Sequence, residues 1–363
     1  MREIYLAVSH GKGREMIKVG IAGIGFMGWI HWLAYQQIPG VQVVAICEHD
    51  PVKRSGDWTS IQGNFGPRGE VVDLNDVESF DDLESLCASE VDLVDICLPP
   101  SVHSSTIALA ARHGKHVFCE KPLALNVDDC HAAVDACRAS EKLLFVGHVL
   151  PFFPEFLAAR KIISQGEYGG LVSASFKRIV SEPTWLPDFF DPNKIGGPLY
   201  DLHVHDTHFI RLLAGMPKSV YARGQMRNGL VSFCDSIFEF DQSGIHATAT
   251  SGIIDQQGRP FTHGFEIRLT QATLQFEYAS LNSGDELMPL KILTNDGRCV
   301  PVPLKGGDPV DAFVAEIREV ISCIQSDQPS AILSGDLAMD AIRICDSISS
   351  SVRTGQRIMI EEV

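Results

Sequence analysis

The sequence predicts a two-domain α/β protein: an N-terminal doubly wound parallel sheet, then a C-terminal α/β domain on a large, mainly antiparallel open sheet. Three observations carry this. The 363 residues exceed what one hydrophobic core usually serves. Up to residue 150, short apolar runs alternate with helical patterns, the order that builds a parallel sheet with crossover helices. After residue 150, alternating strands separated by Gly, Asn and Asp turns read as antiparallel. The expected division is residues 1–15 as an extension outside the fold, 16–150 as the first domain and 151–363 as the second.

In order, the strands of the first domain read as IKVGIAG (17–23), VQVVAIC (41–47), VDLVDICLP (91–99), KHVFCE (115–120) and KLLFVGH (142–148). Helices are expected between them at 29–37, 80–88, 103–113 and 127–139, the last opened by Asn126 as N-cap. Residues 55–76 are rich in Gly, Asn and Asp and show weak helical periodicity where a crossover helix belongs, so they read as a looser insertion. In the second domain a helix at 156–164 and a strand at 171–179 precede a loop bearing Pro and Trp. The runs SIFEFD, IHATATSGI, FEIRLTQATLQFEY and LKILTND then read as strands, and helices at 310–325 and 335–353 finish the chain.

Composition excludes several function classes. A formal charge of −16 leaves no basic stripe for a phosphate backbone, so neither nucleic acid nor an anionic membrane is an expected partner. The opening apolar run is too short for a signal-peptide core, and no stretch reaches membrane-spanning length. Ten cysteines lie scattered without a C-x-x-C pair, several inside apolar runs, which reads as reduced thiols in a cytoplasmic protein.

The first chemical motif is GIAGIGFMGW. Its Gly23, Gly25 and Gly28 follow a strand and open a helix. Gly23 then makes the tight turn, Gly25 lets a pyrophosphate approach the backbone, and Gly28 lets helix and strand pack closely. Phe26 and Met27 lie in the same turn. Glu48 ends the second strand, where a carboxylate accepts hydrogen bonds from a ribose diol and repels a 2′-phosphate, so NAD is expected over NADP, although Lys53 and Arg54 stand nearby. This is a Rossmann-type site.

A second motif, GGPLYDLHVHDTH (196–208), concentrates three histidines and two aspartates. A metal site, a proton-transfer set and a polar helix start all fit such a composition. His205 and His208 are one helical turn apart, as zinc ligands can be. No second distant cluster accompanies them and a nicotinamide already supplies redox chemistry, so no metal is expected. A neutral imidazole suits removal of a hydroxyl proton near neutral pH.

Read together, the glycine motif, CEKPLALN, the run ICLPPSVHSSTIALAARHGKHVFCEKPLA and GGPLYDLHVHDTH resemble the Gfo/Idh/MocA oxidoreductases over nearly all of the chain from Met16 onward. The resemblance implies a Rossmann domain joined to an α/β domain whose open sheet forms homodimers or homotetramers. It also implies oxidation or reduction of sugars and cyclitols by a tightly held nicotinamide. Leu98, Pro99, Pro100 and His103 fall where the family lines the cofactor, and Glu120 and Lys121 match its Glu-Lys-Pro motif. The Gly-Gly run followed by D-x-x-x-H matches at Asp201 and His205. Lys121, before Pro122 at the carboxyl end of a strand, becomes the group expected to hold the reacting oxygen. His205 becomes the general base, with Asp201 binding substrate or orienting the imidazole. His148, Trp185 and His203 are further candidates for substrate contact. His203 and His208 depart from the family pattern and bear on which substrate is used.

The function expected is NAD-dependent transfer of a hydride between nicotinamide and a secondary hydroxyl of a sugar, polyol or cyclitol. Two alternatives stand beside it. One is a redox-assisted glycosidase or lyase without net NAD turnover. The other is a NAD-binding sensor, against which the presence of Lys121, Asp201 and His205 argues.

Overall fold

In the computed structural model, residues 16–361 are described except 185, 187, 242, 243 and 305. The extension 1–15 and Trp185 therefore lie outside the described residues.

Each of the apolar runs in the first domain becomes a strand because both faces of the sheet are covered by helices. β1 (Ile17–Ala22), α1 (Phe26–Tyr35), β2 (Val41–Cys47), α2 (Pro51–Arg54) and β3 (Glu78–Phe80) come first. They are followed by α3 (Leu83–Ala88), β4 (Leu93–Ile96), α4 (His103–Arg112), β5 (His116–Glu120), α5 (Val127–Ala139) and β6 (Leu144–Gly147). The strand order is β3-β2-β1-β4-β5-β6, and every pairing is parallel. The order reverses beside β1, so the carboxyl ends of β1 and β4 open the crevice where ligands of such sheets bind.

Two expectations change. The helix read at 80–88 starts at Leu83, because Phe80 is taken into β3 and Asp82 caps the helix through Ser85 N–H at 2.8 Å. The insertion at 55–76 contains no helix but is not loose. Its Trp58 is fully buried and edge-on to both Trp29 and Trp32 of α1, and Trp29 Nε1 donates to Pro67 O at 2.9 Å. Indole burial, a weak signal in a Gly-rich run, does here what a crossover helix would otherwise do.

The second domain holds α6 (Pro154–Gln165), β7 (Leu171–Ser181), α7 (Val204–Ala214), β8 (Ser219–Arg227), β9 (Leu230–Glu239) and β10 (His246–Ile254). β11 (Phe261–Leu269), β12 (Ala272–Ser280), β13 (Glu286–Thr294) and β14 (Cys299–Pro301) follow, then α8 (Pro309–Ser326), α9 (Gly335–Thr354) and β15 (Ile358–Met359). These form a nine-stranded sheet in the order β14-β13-β12-β11-β7-β10-β9-β8-β15, antiparallel except where β7 runs parallel to β10. The single run FEIRLTQATLQFEY is in fact a hairpin, β11 and β12, turning at Thr270–Gln271. α8 leaves this domain and packs its Val310, Phe313, Ile317 and Val320 into the core around α1, so the last quarter of the chain ties back to the first domain.

Candidate active site

The glycine motif fits a dinucleotide. Gly23 adopts φ +95°, and a Cβ there would stand 2.7 Å from Cys97 O, so only glycine turns the chain at this point. A Cβ on Gly28 would stand 2.1 Å from Gly23 O, which fixes the close approach of α1 to β1. Gly25, at the start of α1, has nothing within 4 Å of its missing side chain, leaving open space where phosphates meet a helix N-terminus. Glu48 spans the turn: Oε2 accepts Ile24 N–H at 2.8 Å and Oε1 accepts Asp50 N–H at 3.0 Å. Arg54 is tied to the main-chain oxygens of Glu48 and His49. Phe26 and Met27 are half-buried, Phe26 edge-on to Phe65 of the insertion.

Lys121 follows β5 at the carboxyl edge of the sheet, and its bond to Pro122 is cis. Its Nζ donates to Asp201 O at 2.8 Å and to Asp201 Oδ1 at 2.9 Å. Asp201 stands in a π-helical turn, Leu199–His203, that leads into α7, where Val204 N–H bonds to Leu199 O five residues back. An ammonium has three donors, and these two bonds leave one for a ligand. His205, half-buried in the first turn of α7, has its Nδ1 buried without a partner. Burial, then the charge of Lys121, then that of Arg178, hold its imidazole well below the ordinary histidine range. His205 is therefore a neutral base at neutral pH.

Behind this front lie further imidazoles. His148 and His208 stack face to face, centroids 4.0 Å apart and planes 3° apart, with His205 edge-on to His148 at 6.3 Å. His208 Nε2 lies 2.9 Å from Ile332 O, which accepts its proton. Burial brings His208 down to about 3 and His203 down to about 4, the latter despite Asp206 pulling the other way. Asp206 itself is spent on Arg178 of β7, which donates to it from Nε at 3.0 Å and Nη2 at 2.9 Å, both side chains buried.

These buried neutral imidazoles make an acid-stability prediction. The unfolded chain binds protons near pH 6.5, whereas folded His203 and His208 bind theirs only near 4 and 3. Stability is therefore whole above 6.5 and lost below it, at about 1.4 kcal/mol per pH unit for each such group down to its folded value. Calorimetry should show the melting temperature falling between neutral pH and pH 5, and His208→Phe should flatten that slope.

Several placements differ from the expectations. His103 is fully buried, with its nitrogens 2.8 Å from Leu98 O and from Pro122 O, so it ties two loops together and does not line a ligand surface. His148, just after β6, and His203, at the end of the π-turn, were expected to touch substrate but are each 1% exposed and stand behind the site, His148 stacked on His208 and His203 beside Asp206. Leu98 and Pro100 are half-buried and Pro99 is exposed, along the turn that Gly23 packs against. Among the described residues, the donors of Asp201, His203, His205, Asp206 and His208 do not converge on one point. The three that do, His31, Asp95 and Cys97, were not singled out by sequence reading. There His31 has both nitrogens at hydrogen-bond distance from carboxylates, which makes them a charged hydrogen-bonded cluster. Its only sequence signal is an aspartate within the apolar run of β4.

Two family models match in chain order. "Oxidoreductase family, NAD-binding Rossmann fold" matches residues 17–148, and "GFO/IDH/MocA C-terminal domain" matches residues 156–275. Inositol 2-dehydrogenase of Rhizobium meliloti is 26% identical over 350 residues, covering 95% of this chain and 99% of the relative. 2,7-Anhydro-N-acetylneuraminate hydratase of Escherichia coli is 30% identical over 212 residues, covering 56% of this chain. The chain spans about half the length of the curated relatives it matches at 30% identity, 53% and 52% in two of them. The structure of levoglucosan dehydrogenase in complex with NADH superposes with a TM-score of 0.77 at 19% identity, covering 96% of this chain and all of the other. No described helix is long and apolar enough to cross a membrane.

Proposed function

Since the chain belongs to the Gfo/Idh/MocA family of oxidoreductases, we propose that it is an NAD-dependent dehydrogenase oxidising a secondary hydroxyl of an uncharged sugar, polyol or cyclitol. The observation that carries this reading is Lys121, whose ammonium has one donor left over beside a neutral imidazole. A bound nicotinamide supplies the hydride acceptor. Lys121 donates its remaining N–H to the hydroxyl oxygen and favours its alkoxide character as the bond to hydrogen weakens. His205 takes the hydroxyl proton, and Asp201 holds the ammonium while offering an oxygen to a neighbouring hydroxyl. Gly25 and the N-terminus of α1 hold the pyrophosphate, and Glu48 the adenine ribose.

An uncharged substrate follows from charge pairing. Lys121 is paired with Asp201, and the buried Arg178 behind it with Asp206, so neither cation offers an unbalanced charge to a substrate carboxylate or phosphate. The relatives named for inositol and the neighbour named for levoglucosan have uncharged substrates, which supports the same class, whereas the two relatives named for 2,7-anhydro-N-acetylneuraminate are named for a carboxylate. The hydratase name of two relatives favours a second reading, in which the hydride returns to the product and no NADH accumulates.

Nicotinamide absorbance across a panel of cyclitols, polyols and sugars tests the proposal. Substrate-dependent NADH formation supports it. Product formation without NADH points to the second reading, and neither signal across the panel sinks both. For the cofactor, Glu48→Ser is expected to raise the KM for NAD about tenfold, the worth of one charge-assisted hydrogen bond, and to narrow its advantage over NADP. An unchanged ratio of kcat/KM for the two cofactors would remove Glu48 from that role.

A further inference from the structure

One residue before Lys121, Glu120 divides its carboxylate between two partners. Oε2 accepts the main-chain N–H of Lys121 at 3.1 Å, and Oε1 lies 3.1 Å from Nε2 of His31 in α1. The other nitrogen of His31 lies 2.9 Å from Asp95 Oδ2 on β4. A carboxylate at each nitrogen requires an N–H at each, so the ring is an imidazolium; a neutral ring would turn a lone pair toward one of the two. His31 and Asp95 are 0% exposed and Glu120 6%. The ring is held in plane by Phe118, stacked at 5.2 Å and 8°, and by Phe313 of α8, tilted at 6.0 Å.

The other titratable groups facing His31 fit that charge state. Cys97 Sγ is 3.5 Å from Nδ1, and burial with the charge of Asp95 pushes its thiol up to about 12, so it stays neutral. Tyr35, on the same helix, is pushed up by burial and by Asp95 and stays neutral as well. Glu316 of α8 is fully buried with neither carboxyl oxygen partnered, and burial and the charge of Glu120 push its carboxyl well above the ordinary carboxylate range. The cluster thus carries two carboxylates around one cation. That cation joins four elements, α1, β4, β5 and, through the aromatic and carboxyl side chains, α8.

We propose that His31 is a positioning residue for the reaction at Lys121: clamped between Asp95 and Glu120, it fixes the carboxylate that anchors the Lys121 main chain and so aims the ammonium. Through Lys121 this rests on the function proposed above. Displacement of a reacting group by about 1 Å can cost a hundredfold in rate without loss of binding, which is the effect a loosened Glu120 would have. The paired charges explain why an acidic side chain is tolerated in the interior of β4.

The test compares His31→Leu, His31→Gln, Glu316→Gln and Lys121→Met in kcat, KM, NADH affinity by fluorescence and melting temperature. His31→Leu is expected to lower kcat at least about tenfold while NADH affinity moves less than about threefold. His31→Gln, which keeps a donor for Glu120, should recover part of that loss, and Glu316→Gln should match the parent. Equal losses of kcat and NADH affinity, with His31→Gln no better than His31→Leu, would mean a merely structural role and overturn the proposal. Should His31→Leu fail to fold, Asp95→Asn decides. It leaves the ring in place but removes the carboxylate that retains its second proton, so kcat should fall at a lower alkaline pH than in the parent. Identical profiles overturn the proposal. Nitrogen NMR of labelled histidine, assigned by difference with His31→Gln, should show both ring nitrogens of His31 protonated at about pH 8, independently of activity; a neutral ring there overturns it. An inactive Lys121→Met with a fully active, folded His31→Leu removes only the positioning role, whereas an active Lys121→Met removes the reaction itself.

Discussion

Lys121→Met is expected to lower kcat about a thousandfold, with NADH affinity changed far less, because the lost group acts where charge develops on the reacting oxygen. Methionine preserves the length of the stem, so the loss reports the ammonium and not the packing. The substitution also frees Asp201, whose carboxylate loses the 2.9 Å ion pair that holds it, so the KM for the alcohol should rise as well. Lys121→Arg is a sharper comparison. It keeps the charge and the pairing with Asp201 but spreads its donors over a planar fork, and it should retain binding while recovering little of kcat. Steady-state kinetics on any substrate found in the panel, with NADH binding by fluorescence as the control, checks both. A kcat within threefold of the parent for Lys121→Met would end the proposed role.

The second large effect is expected at His205. His205→Asn should lower kcat between about a hundredfold and a thousandfold, the usual worth of a placed general base. The pH profile carries the stronger signature. Burial and the Lys121 charge hold this imidazole well below the ordinary histidine value, so the basic form persists as pH falls through 6.5. The parent enzyme should therefore keep kcat/KM on the acid side of neutrality and lose it only where the depressed group takes up its proton. Lys121→Met removes the second largest cause of that depression, so whatever activity remains should lose its base at a higher pH. An acid limb at the ordinary histidine position in the parent would contradict the environment seen around His205.

The parts of the fold legible in the sequence were those written as period and punctuation. The parallel strands stood out because their two-sided burial leaves unbroken apolar runs such as VQVVAIC and KHVFCE. The insertion at 55–76 was legible as a departure but not as a packed element, since its order depends on Trp58 meeting Trp29 and Trp32 across sequence distance. The return of α8 to the first domain was hidden for the same reason. In the site, GxGxxG, Glu-Lys-Pro and D-x-x-x-H named the residues at the front. What the motif GGPLYDLHVHDTH could not say is which of its histidines face outward. That depends on the phase of the helix, and a wide turn at Leu199–His203 shifts that phase away from what simple 3.6-residue counting assigns. His31 was invisible because a histidine on the buried face of a helix has no meaning until Asp95 and Glu120 are placed against it.

That wide turn has an evolutionary reading. A π-turn consumes one residue more than the helix needs to advance, so its removal is a single-codon event with an all-or-none outcome. Deletion of Leu202 or His203 would shorten the spacing from Asp201 to His205 by one residue and carry Asp201 around the axis relative to His205. Point substitutions can reshape what the pocket accepts one side chain at a time. The spacing between the acid and the base, in contrast, has no intermediate lengths and so offers no gradual path to change.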